Sequence, residues 1–233
     1  RIITLDPRQL EQLPDNTAVL LIAAPVATYP PHVNDLIARF ANEGGSLLWL
    51  LGETGATIPG LDLGVEVLPG RIVDATAARY GLDSPDNAIV TDYPGLLTMP
   101  ADSLSVLPQA QGLRVSPSAD WRVVGGLQSS PRSWNETGAL TGQVSRDPAQ
   151  GELPGPLTVG VALQRDGAAQ AQGGVWVIGG SQWLANDRIG QAANLQLASA
   201  LINWLSGNGG SATPVDGHGH GSHTVGTMVG DDG

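Results

Sequence analysis

The chain contains no cysteine and no lysine. Without cysteine there is no disulfide, no thiolate metal site and no cysteine nucleophile, and the redox compartment stays open. Without lysine there is no Walker-type phosphate loop, whose lysine reaches the phosphates. Charge is scarce, at 14% of residues, and one-sided: 22 acidic side chains against 11 arginines leave a net charge of −11. Nucleic acid and anionic membrane surfaces are held by clustered Lys/Arg, so this composition argues against both as partners. No apolar run reaches the ~18 residues needed to span a bilayer, so no direct membrane insertion by this segment is expected. The chain opens on Arg1 without a signal-like stretch, which predicts a fragment of a longer parent, so the absence of an anchor here is no evidence that the parent lacks one.

What is present is globular. Hydrophobic residues make up 41%, and 32 Gly with 17 Pro suit many short strands joined by turns. Residues 18–24 form a continuous apolar run closed by Pro25, which predicts a strand buried on both faces. Val33, Leu36, Ile37 and Phe40 then recur at helical spacing, with Pro30-Pro31 at the entry and Gly44-Gly45 at the exit. A second apolar run, residues 46–51, completes a strand–helix–strand unit. The middle is less regular, with short strands expected at 65–68, 71–73, 88–91, 113–115 and 122–124. Residues 156–163 and 174–180 read as further strands. Asn194, Leu197, Ala198, Leu201, Ile202 and Leu205 define the inner stripe of a closing helix. Glycines 207, 209 and 210 then mark a linker. The expected organisation is a domain over residues 1–206 and a tail over 207–233.

Several residues invite functional readings. Ser181, Asn186 and Asp187 follow the Gly179-Gly180 turn at the carboxyl end of a strand, where open α/β sheets bind ligands and helix N-termini attract anions. The competing reading is a packing turn, with Asn186 or Asp187 as a helix N-cap. Asp74 and Asp92 each follow a short strand; facing one crevice they would bind a cation or act as acid and base, and otherwise they cap turns. Trp176 and Trp204 sit inside apolar patterns and are expected in the core. Trp134, between Arg132 and Glu136 in a loop, is the tryptophan expected at the surface as a partner or ligand contact.

The ordered phrases Val19-Leu20-Leu21-Ile22-Ala23-Ala24-Pro25, Gly44-Gly45-Ser46-Leu47-Leu48-Trp49-Leu50 and Gly64-Val65-Glu66-Val67-Leu68-Pro69-Gly70 carry a resemblance. So do Ala88-Ile89-Val90-Thr91-Asp92-Tyr93-Pro94, Ser133-Trp134-Asn135-Glu136-Thr137, Gly155-Pro156-Leu157-Thr158, Ile178-Gly179-Gly180-Ser181 and Asn203-Trp204-Leu205. The set resembles the extracytoplasmic domain of ABC-type transport auxiliary proteins, a family that includes the gliding-motility auxiliary component. The resemblance implies an α/β fold: a mostly parallel sheet flanked by helices, like a flavodoxin or class I glutamine amidotransferase sandwich. It implies a membrane-anchored parent, an extracytoplasmic (periplasmic or cell-surface) location, and ABC permease and ATPase subunits as partners. It brings no catalytic residues and no cofactor. Relatives often carry Gly-Asp-Ser-Asp-Phe where this chain has Gly180-Ser181-Gln182-Trp183, so any role of those acidic positions does not carry over. The leading expectation is a non-catalytic interaction domain; the alternatives are a small-ligand or carbohydrate-binding domain and a protease fragment.

The protease alternative comes from the tail. Residues 216–230, with Gly217-His218-Gly219-His220-Gly221-Ser222-His223 at their centre, resemble the histidine segment of subtilisin-like serine proteases, which would make His220 the general base. A triad also needs a serine and an aspartate in their own motifs, and neither motif is recognisable. As metal ligands, His218, His220 and His223, with Asp216, offer only weak adventitious binding, because a glycine-rich segment gives no rigid support.

Overall fold

The computed structural model describes residues 2–24, 29–52, 57–141, 144–166, 173–207 and 224–229. Its elements run β1 (Ile2–Leu5), β2 (Thr17–Ala23), α1 (Pro31–Asn42), β3 (Ser46–Leu50), β4 (Val65–Val67), β5 (Arg71–Asp74), β6 (Asn87–Val90) and β7 (Ser105–Pro108). They continue with β8 (Leu113–Val115), β9 (Trp121–Gln128), β10 (Ser133–Glu136), β11 (Thr158–Arg165), β12 (Gly174–Ile178), α2 (Asn194–Leu205) and β13 (Thr224–Val229). A seven-stranded sheet has the order β1-β13-β2-β3-β12-β11-β9, and three two-stranded ladders pair β10 with β5, β4 with β8 and β6 with β7.

The sheet centre follows from side-chain alternation. Every residue of β3 and β12 is buried, because successive side chains point to opposite faces and both faces are covered. Leu47, Trp49, Val175 and Val177 pack with α1 through Val33, Ile37 and Ala41. Leu48, Leu50, Trp176 and Ile178 pack with α2 through Leu197, Leu201 and Leu205. Each helix therefore covers one face. Pro31 opens α1, where its missing N–H is one the helix could not bond internally. Asn194 opens α2 and is fully buried: its side chain accepts from the Val106 N–H at 3.0 Å and donates to the Val106 carbonyl at 2.9 Å. This amide ties the helix to β7.

The expected mostly parallel, helix-flanked α/β sandwich of flavodoxin or glutamine amidotransferase type is overturned. The sheet is mixed: β1, β13, β2, β3 and β12 run parallel, whereas β11 is antiparallel to both β12 and β9. The other ladders are antiparallel throughout. Among the described residues thirteen strands face only two α-helices. The physical reason is the connections. A parallel neighbour needs a crossover of about a dozen residues or more, and β11 reaches β12 over residues 166–173. Between β3 and β12 the described chain forms short strands and 3₁₀ turns, with no α-helix to cover a parallel layer.

Thr224–Val229, read from sequence as part of a tail, is a strand between β1 and β2, parallel to both. No described helix is long and apolar enough to cross a membrane.

Candidate functional site

The crevice expected beside Ser181 is filled. The Gln111 N–H donates to the Gly179 carbonyl at 2.5 Å, and a Cβ on Gly179 would collide with the Gln111 carbonyl oxygen. Trp183 is fully buried beneath the turn and donates from Nε1 to the Gly180 carbonyl at 3.2 Å. Asn186 and Asp187 are exposed on the loop that follows. Neither caps a helix, since Ala193 holds the N-cap position of α2 without a side-chain bond. Asp187 pairs instead with its neighbour Arg188 at 3.3 Å.

Asp74 and Asp92 do not meet. The Asp74 N–H bonds the Pro85 carbonyl, just before β6 begins, whereas Asp92 is exposed past the other end of that strand. Asp74 Oδ1 accepts from the Thr76 N–H at 2.7 Å and from its hydroxyl, which makes it a turn-former. Trp134 corrects the expectation of an exposed contact: it is 8% exposed. The loop assignment failed because residues 133–136 are β10, paired with β5 some sixty residues earlier. Its Nε1 donates to Glu136 Oε2 at 2.9 Å. Arg132 alone stays exposed. The buried Glu152 completes this polar knot, accepting from the Thr137 and Asp147 N–H groups. Burial pushes its carboxyl up, but the Thr137 and Asp147 N–H groups, Glu136 and the Thr137 hydroxyl bring it, on balance, below the ordinary glutamate value. His218, His220, His223 and Asp216 lie outside the described residues.

Two recesses open instead on the α1 side, along the segment from Thr57 to Glu66. The first, about 460 Å³, lies at the carboxyl ends of β3 and β12. Its walls are Trp49, Leu51, Ile58, Leu61, Leu63 and Val177, with Asp62 and Glu66 at the margin. Gly64 shapes this wall: at φ +64° it brings its carbonyl to the Ser116 N–H at 2.8 Å, and a Cβ there would meet the Ser116 carbonyl. Asp62 Oδ1 accepts from the Gly64 N–H at 3.2 Å, and Glu66 pairs with Arg114 at 3.5 Å. The Trp49 indole N–H is buried without a partner among the described residues.

The second recess, about 540 Å³, is lined by Asn42, Asp62, Ser118, Asp120, Trp121 and Arg165. The β9–β11 ladder places Arg165 opposite Trp121. The guanidinium lies 5.6 Å from the indole centroid, donates to Asn42 Oδ1 at 2.9 Å and sits 3.7 Å from Asp120. Ser118 Oγ donates to the Asp62 carbonyl at 2.8 Å.

Neither recess holds a nucleophile beside a base. His32, the one histidine among the described residues, is exposed on α1. No group of three or more His, Cys, Asp or Glu among the described residues is placed to hold a metal ion. Sequence reasoning missed Asn42, Trp49, Asp62, Asp120 and Arg165. Trp49 is hidden in an apolar run, and the others come from four separate segments that only the tertiary fold brings together.

The class defined by this architecture is a mixed-sheet domain with one helix on each face and antiparallel ladders set around it. Among solved structures the chain is similar to the mmIFT52 N-terminal domain, with a TM-score of 0.57 at 17% identity, over 84% of this chain and 79% of that one. At that identity the likeness is one of fold. No protein-family model matches the chain, and no curated protein matches it.

Proposed function

We propose that the chain is a non-catalytic interaction domain of a membrane-anchored ABC-type transport component, working on the extracytoplasmic side beside permease and ATPase subunits. The observation that carries the reading is the apolar recess at the carboxyl ends of β3 and β12. It is walled by Trp49, Leu51, Ile58, Leu61, Leu63 and Val177, and its two marginal carboxylates are already engaged. Such a recess receives an apolar side chain from a docking segment, and anchors of this kind dominate interface energetics. The phrases behind the family resemblance supply its frame: they fall on β2, β3, β4, β6, β10, β12 and the end of α2.

The test places a photo-crosslinking residue at Thr57, exposed at the rim, in the full-length parent in native membranes. The reading expects crosslinks to a permease or ATPase subunit of an ABC system, lost when Leu61→Asp blocks the recess. Crosslinks that omit every such subunit overturn it.

A further inference from the structure

We propose that the cleft lined by Asn42, Asp62, Ser118, Asp120 and Arg165, beside Trp121, is a binding site for a neutral saccharide. The inference does not depend on partner docking: it rests on the second recess, which shares only Asp62 with the first.

Its volume, about 540 Å³, lies in the range of small-ligand sites, but its lining is unlike that of the apolar recess beside it. It combines one guanidinium, two carboxylates, an amide and a hydroxyl around a buried indole whose face Arg165 covers. Charge decides among ligand classes. Asp62 and Asp120 against Arg165 leave the lining one unit negative, so an anion is repelled. A cation would have to compete with Arg165, which already occupies the indole face at 5.6 Å. An apolar ligand gains little beside two carboxylates and a guanidinium, which it would desolvate without pairing. A neutral polyol matches: hydroxyl groups donate to carboxylates and accept from N–H groups, and adjacent hydroxyls suit a planar fork of donors.

The geometry supports that use. Arg165 is packed against Trp121 and hydrogen-bonded to Asn42, so its fork is held in place before a ligand arrives. A guanidinium has five N–H donors, and among the described residues its partners Asn42 and Asp120 leave donors over. The Asp120 side chain is 72% exposed and the Arg165 side chain 33%, so both remain reachable. Asn42 is fixed by its own bond to the Gly60 carbonyl at 3.2 Å. Donors and acceptors thus converge on one corner, from the end of α1, the loop at Asp62, the Ser118–Asp120 turn before β9 and the end of β11.

The experiment titrates the full chain with maltotriose, cellotriose and chitotriose, and follows the Trp121 indole resonance by NMR. Trigalacturonate and tetramethylammonium serve as anionic and cationic probes. The expected result is saturable binding of at least one neutral trisaccharide at about millimolar concentration, with the trigalacturonate at least about tenfold weaker. Asp120→Asn and Arg165→Met should each weaken that binding by about tenfold or more. If Arg165→Met fails to fold, Asp120→Asn, a conservative change at an exposed position, carries the test alone. No saturation by about 10 mM, binding of tetramethylammonium only, or saccharide binding unchanged in Asp120→Asn overturns the proposal.

Discussion

Asn194 shows how much one side chain decides. Its amide serves both the N–H and the carbonyl of Val106 and also donates to the Arg188 carbonyl at 3.2 Å. Removing it strands buried backbone groups, each costing roughly 1–3 kcal/mol. Asn194→Ala is therefore expected to destabilise the fold by about 2–4 kcal/mol in urea unfolding, and a loss under about 1 kcal/mol would contradict this account. Tyr29 is the opposite case. Its hydroxyl is buried without a partner among the described residues, and desolvation pushes its pKa up to about 12. Tyr29→Phe should be neutral or stabilising by about 1 kcal/mol, because it removes an unsatisfied polar atom and keeps the ring.

Glu152 supplies a pH dependence. Its carboxyl is held below the ordinary value of 4.5, so the charged form is favoured in the folded state. The sign follows from linkage: the stabilisation is present above the unfolded-state pKa and is lost as pH falls through the lower folded-state pKa. Unfolding free energy should drop as pH falls below the ordinary glutamate value of 4.5, and Glu152→Gln should flatten that drop. An identical pH profile in the variant would place the acid sensitivity elsewhere. None of this was legible beforehand, since Glu152 lies in a proline- and glycine-rich stretch whose partners come from residues 136–147.

At the scale of elements, β13 is the piece on which one side of the sheet depends. Among the described residues β1 pairs with β13 alone, through Ile2, Ile3, Thr4 and Leu5, and β2 loses its outer neighbour when β13 is disrupted. Gly226→Pro removes a ladder N–H from an internal strand, where proline is not tolerated. The expected outcome is fast hydrogen exchange at Ile2–Leu5 and along one side of Thr17–Ala23, with Ser46–Leu50 still protected. Uniform protection across all three would show that β13 does not hold β1. The strand–helix–strand unit of β2, α1 and β3 was readable because its signals are local: apolar runs, helical spacing and proline–glycine punctuation. β13 was not, because its partners lie some two hundred residues earlier and nothing in Thr-Val-Gly-Thr-Met-Val names them.

For the whole molecule, the balance of charge is the dominant long-range feature. A net charge of −11 gives self-repulsion that favours expansion, whereas the exposed pairs Arg8–Asp6, Arg114–Glu66 and Arg188–Asp187 are solvated and contribute little. Screening should relieve the repulsion more than it weakens the pairs. The melting temperature is therefore expected to rise by a few degrees from about 0.01 M to about 0.15 M salt; a fall would mean that the ion pairs dominate.

The sequence by itself determined which segments enter the core and what the protein lacks. Burial on both faces of β3 and β12, the core positions Val33 and Ile37 of α1 and Asn194, Leu197, Leu201 and Leu205 of α2, and the absence of thiol and lysine chemistry are written in residue type and local spacing, whereas Leu36, Phe40, Ala198 and Ile202 stay half-buried. Tertiary structure alone decided the sheet's direction and where the recesses lie. Whether β11 runs parallel or antiparallel depends on how the chain returns, not on its own apolar run. Trp134 is buried because β5 pairs with β10, and Gln111 closes the turn at Ser181. Arg165 meets Trp121 because two strands more than forty residues apart share a ladder register. Strand pairing is a long-range choice made by backbone hydrogen bonds, which every residue type except proline offers alike. Side-chain pattern therefore marks a strand's faces but leaves its neighbour open.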